Sequence, residues 1–120
     1  MTISEFEELA AKAIRRLPRE FRLRLDNVVV TVAAAPSKAQ TARFGRGLLG
    51  LYEGVPLSER GASYSGAMPD KITLFKSNIE ALCREEEEGE VEGRIRHTLM
   101  HEIAHHFGMG DDELVKKGLY

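Results

Sequence analysis

Residues 101–111 read His101-Glu102-Ile103-Ala104-His105-His106-Phe107-Gly108-Met109-Gly110-Asp111, and the rest of the chain is best read outward from them. All four histidines of the sequence fall between positions 97 and 106. On a helix, residues four apart lie about 40° apart around the axis and one turn along it. His101 and His105 therefore present two imidazoles to one point, as a zinc ion requires. Glu102 lies on the flank of the same face, where it can take a proton from a water at the metal without becoming a ligand. Gly108 can end the helix in a left-handed conformation that most residues avoid. The chain can then fold back and offer Asp111 as an oxygen ligand, with water in the fourth position. Asp112 and Glu113 are close enough to compete with Asp111 for that place. The expected content is one Zn2+ per chain.

Working outward, Val91, Ile95, Leu99, Ile103 and Phe107 recur on the other side of this helix, predicted over residues 91–107. At the other end of the chain the spacing predicts a helix over 4–17. Phe6, Leu9, Ala10, Ala13, Ile14 and Leu17 form its apolar stripe, Ser4 with Glu7 fits a capping box, and Pro18 stops it. Residues 19–25 read either as a short helical turn or as an extended lead-in. Val28-Val29-Val30-Thr31-Val32-Ala33 is β-branched and nearly all apolar, which predicts a central strand covered on both faces. Residues 38–44 fit a short helix or a loop. A second strand is expected over 48–52, ended by Glu53-Gly54, and a third over 72–75. Between them, residues 56–69 carry loop chemistry, with 62–65 as a candidate edge strand. Ser77 is placed to cap a helix carrying Ile79, Leu82 and Cys83, and residues 112–117 read as a last turn. This order predicts an α+β fold, a single domain over 1–120 with helices packed on one small sheet.

Composition bounds the function. The chain has 120 residues, 42% of them apolar and 30% charged, enough for one modest core. The net charge of −2 argues against a duplex-wrapping or polybasic membrane-surface protein. No tryptophan is present and aromatics make up 7%, so a base-stacking platform is not expected. A single cysteine, no signal-peptide pattern and no stretch long enough to span a bilayer predict a reduced, cytoplasmic protein with no nucleic-acid or membrane partner.

The extended motif, H-E-x-x-H-x-x-G-x-x-D, resembles that of zincin metallopeptidases whose third ligand is Asp. The likeness continues through Leu48-Leu49-Gly50-Leu51-Tyr52-Glu53-Gly54-Val55-Pro56-Leu57 and Pro69-Asp70-Lys71-Ile72-Thr73-Leu74-Phe75. Together these segments look like the small bacterial metallopeptidase-family proteins, the minimal zincins. The resemblance implies a minimal zincin-like α+β domain, a small mixed sheet packed against an active-site helix and an N-terminal helix. It does not imply a known substrate. Larger zincins add a methionine turn beyond the third ligand and a second subdomain forming the far wall of the cleft. Nine residues follow Asp111 here, none of them Met.

Other features compete for attention. His97, one turn before His101, reads as an exposed helix residue before it reads as a further ligand, and His106 as a packing or surface residue. The run Glu85-Glu86-Glu87-Glu88-Gly89-Glu90-Val91-Glu92 reads as a solvated helix start that suits the helix dipole. Cys83 reads as buried and inert. Arg15, Arg16, Arg19, Arg22 and Arg24 form the densest basic stretch, which leaves a weak nucleic-acid reading. Tyr64 and Arg60 are candidates to stabilise an oxyanion. The function expected is zinc-dependent hydrolysis of peptides or flexible protein segments, aligned by β-addition along an edge strand at 48–53 or 62–65, with Glu102 as general base. The alternative is a metal-stabilised peptide- or protein-binding module with negligible turnover.

Overall fold

The structure, a computed structural model, describes residues 1–54, 69–85 and 87–108. The elements are α1 (Ile3–Arg15), α2 (Arg19–Arg24), β1 (Val28–Ala33), α3 (Lys38–Phe44), β2 (Gly50–Glu53), β3 (Asp70–Phe75), α4 (Lys76–Ala81) and α5 (Glu88–His106). Helices thus pack on a small mixed sheet, the α+β arrangement expected. The expected edge strand at 62–65 and the last turn at 112–117 lie outside the described residues.

The sheet has the order β1-β3-β2, with β1 parallel and β2 antiparallel to β3. β3 is therefore the central strand, and Ile72 and Leu74 are fully buried in it. The Val-rich strand β1 is not central. Val28, Val30 and Val32 pack against the core, whereas Val29 is 45% exposed. A continuous apolar run signals burial on both faces, but alternation sends half of β1 to a face that the helices do not cover.

α1 and α5 pack along each other against the sheet. Phe6, Leu9, Ala10 and Ala13 of α1 meet Val91, Ile95, Leu99 and Ile103 of α5 in one core. Burying each large side chain stabilises the fold by about 1.5–3 kcal/mol. α1 starts two residues earlier than the Ser4–Glu7 pattern implied. The same pattern occurs at Thr2 and Glu5, where side chain and backbone exchange two 3.0 Å hydrogen bonds. Met1 then stands in the staple position relative to Phe6 and packs on the core, which favours the earlier register. Residues 19–24 resolve as helix, and residues 38–44 as a helix capped reciprocally by Ser37 and Gln40.

Further expectations are corrected. Ser77 does not cap α4: Phe75 is its N-cap, and the Ser77 backbone N–H donates to the Ala34 carbonyl. α4 ends at Ala81, so Leu82 lies beyond it and is 46% exposed. Cys83 is partly buried and burial pushes its thiol pKa up, which keeps it a poor nucleophile. The acidic run is not solvated throughout. Glu90 accepts the N–H groups of Arg84 and Glu85, and Glu92 is 1% exposed. Arg16 Nη1 donates to Glu92 Oε1 at 3.0 Å, and Arg96 Nη2 lies 3.7 Å from Glu92 Oε2. Glu92 falls on the α1-facing side of α5, so its position on the helix outweighs its charge.

Candidate functional site

α5 carries the site because its faces are segregated. Its apolar side, Ile95, Leu99 and Ile103, is fully buried and fixes the rotation of the helix. His101 and Glu102 are then half-buried and His105 is exposed. The rings of His101 and His105 approach to 4.1 Å between centroids with a 47° tilt. Four residues of helix advance about 6 Å along the axis, so the two imidazoles lean toward each other. Phe107 caps α5, and Gly108 follows with φ +69°, the left-handed turn expected there. Asp111, Tyr64 and Arg60 lie outside the described residues. Among the described residues, no group of three or more His, Cys, Asp or Glu side chains gathers to hold a metal.

Glu102 is held from the sheet side. The backbone N–H of Tyr52 donates to its carboxylate, and that bond and the nearby His105 both favour the ionised form. Burial acts the other way and is the larger influence, so the carboxyl titrates above its ordinary value. A half-buried carboxylate of raised basicity is suited to general-base work.

Tyr52 organises this corner of the molecule. Its hydroxyl donates to Asp70 Oδ2 at 2.8 Å, and its ring stacks on His106 at 3.7 Å and 15°. His106 is exposed and packs on Tyr52, which agrees with the packing or surface role expected. Phe107 does not join the buried side of α5. It is 40% exposed, sets its edge against Tyr52 and carries the Arg24 guanidinium 5.0 Å from its ring. Phe107 is the C-cap and no longer a helical residue, so the apolar stripe ends one turn early.

Beside Glu102 opens a cavity of about 430 Å³, lined on one side by His97, Thr98, His101 and Glu102. Phe44, Leu48 and Leu49 supply its apolar wall. Asn78 Nδ2 pins that wall by donating to the carbonyls of Arg46 and Leu48 at 2.9 and 2.8 Å. His97 is exposed at the rim, as expected of it. Phe44, Gly50, Tyr52 and Thr98 have no assigned role in the sequence pattern. Only the juxtaposition of α3, β2 and α5 reveals them. The Ser37–Gln40 cap that makes α3 a helix was the available signal for Phe44.

His101 and His105 supply two of the donors that a zinc site takes. Two converging imidazoles stand on the solvent-facing side of a rigid helix, with a carboxylate beside them that is drawn to the sheet. No helix among the described residues is long and apolar enough to cross a membrane. No curated protein matches the chain. A family model of zincin-like metallopeptidases matches residues 25–119, and the chain belongs to that family.

Proposed function

We propose that this member of the zincin-like metallopeptidases is a zinc-dependent peptidase in which His101, His105 and Asp111 hold the metal and Glu102 is the general base. The supporting observation is the half-buried Glu102, of raised basicity, beside two imidazoles whose rings converge to 4.1 Å. Asp111 enters on its spacing from His105 and on the left-handed turn at Gly108 that precedes it. When bound, zinc supplies Lewis acidity, acidifying water and polarising a carbonyl oxygen.

The chain's own residues supply the rest. Glu102 takes a proton on a carboxylate oxygen from the attacking water and later passes it to the departing amine nitrogen. β2 pairs with β3 along one side and with no strand on the other among the described residues. An extended peptide or flexible protein segment aligns along that side of β2. The walls of the cavity beside Glu102 limit the water around the reacting groups.

Zinc content of purified variants tests the ligand set. His101→Ala and His105→Ala each abolish tight binding, and Asp111→Ala weakens it strongly. His97→Ala and His106→Ala retain the metal. Full zinc occupancy in the His101→Ala/His105→Ala double variant would contradict the assignment.

A further inference from the structure

We infer that Gly50 is a positioning residue for Glu102: its missing side chain, matched to Thr98 on α5, sets β2 at the distance where the Tyr52 N–H reaches the Glu102 carboxylate. The inference rests on the reading of Glu102 as the base.

Gly50 is not there for an unusual backbone conformation. The described glycines with positive φ are Gly45 and Gly108. What Gly50 provides is space. A Cβ at this position would stand 2.9 Å from Thr98 Cγ2 and 3.4 Å from Glu102 Cγ. The first distance is inside van der Waals contact, so something must shift. Thr98 cannot yield easily. It is 5% exposed, its hydroxyl donates to the Arg94 carbonyl at 2.8 Å, and a β-branched side chain is stiff at χ1. α5 cannot yield either, because its far side is the core. The strand is the part that moves.

Gly50 and Tyr52 are two apart on β2 and point to the same face. They pair in register with Leu74 and Ile72 of β3. Thr98 and Glu102 are likewise one helical turn apart on α5. Two rungs therefore connect β2 to α5: a steric one, Gly50 on Thr98, and a polar one, the Tyr52 N–H on the Glu102 carboxylate. Widening the first rung stretches the second.

The test is a cycle of Gly50→Ala in the wild-type and Thr98→Ser backgrounds, since the serine lacks the offending methyl. Zinc content, melting temperature, kcat and KM on a cleaved peptide, and the Tyr52 amide resonance in 15N-labelled metal-free protein are read for each. In the wild-type background Gly50→Ala is expected to lower kcat by about 10–100-fold with zinc content and KM little changed, the scale of a misplacement near 1 Å. The Tyr52 amide proton moves upfield as its bond to the carboxylate lengthens. In the Thr98→Ser background the same substitution costs less than about threefold and the amide shift largely returns. Equal losses in both backgrounds, a fall in kcat with an unmoved Tyr52 resonance, a change confined to KM, or failure to fold in both backgrounds would each overturn the inference. If the wild-type protein cleaves no peptide, the peptidase reading fails, and the Tyr52 resonance by itself still decides whether Gly50 and Thr98 position Glu102.

Discussion

Glu102 shows how one side chain's environment sets its chemistry. Burial against β2 raises its affinity for a proton, while the Tyr52 N–H and His105 limit that rise. This has a consequence for stability when no metal is bound. A carboxyl whose folded pKa lies above its unfolded value favours folding at low pH, and that contribution is lost as pH rises through the folded value. Metal-free Glu102→Gln is therefore expected to melt above metal-free wild type at neutral pH, with the gap closing below about pH 4, where both states of the wild type are protonated. Melting curves across pH in chelator check this. A gap that widens toward acid would contradict the burial argument.

At the scale of elements, the contact between α1 and α5 is the principal helix–helix joint, and a charge is buried in it. Glu92 is 1% exposed, and Arg16 reaches it at 3.0 Å. Removing one member of a buried pair leaves the other uncompensated, which costs about 3–5 kcal/mol when both are buried. Arg16 is half exposed and Arg96 remains nearby, so Arg16→Ala is expected to cost about 1–2 kcal/mol by denaturant unfolding. Arg16→Ala with Glu92→Met should recover most of that loss, because a buried apolar residue needs no partner. Additive losses in the double variant would show that the pair is not the cause.

Across the whole molecule, the helix that carries His101 and His105 is built into an apolar core to which the histidines do not contribute. Phe6, Phe21, Ile72, Leu74, Ile95, Leu99 and Ile103 are fully buried without any contribution from the histidines. The chelated protein is expected to keep its helical circular dichroism and to melt lower. Zinc at a hundred- to thousand-fold excess over its dissociation constant adds about 3–4 kcal/mol. A random-coil spectrum after chelation would make the metal structural instead.

The same scale explains what the sequence could and could not say. The i, i+4 pattern from Val91 to Ile103 placed α5 and turned His101, Glu102 and His105 outward, because periodicity on a long helix is a local property. Residues 38–44 stayed undecided between helix and loop because a short helix carries little periodic signal. Strand order was not legible. The valines of β1 and the residues of β3 are similarly apolar, and which strand lies centrally depends on pairings made across more than 40 residues. Glu92 shared its sequence signature with solvated neighbours, and only the approach of Arg16 on α1 distinguishes it. Gly50 and Tyr52 stood in a recognisable segment, yet their purpose depends on how closely β2 lies on α5, a tertiary distance that no local pattern encodes.

The central claim is that Glu102 drives peptide hydrolysis beside a zinc ion held by His101 and His105. The most direct measurement is a matched pair, wild type and Glu102→Gln from parallel preparations, assayed for zinc content and for cleavage of an unbiased peptide library with and without chelator. Glutamine keeps the size of the side chain and can still accept the Tyr52 N–H, but it is no base. Equal zinc content is predicted, with chelator-sensitive cleavage by wild type that falls by at least about 10²-fold in Glu102→Gln. Equal cleavage by both proteins would contradict the account, and so would the absence of cleavage by either while both bind the same peptides, which is the behaviour of a binding module.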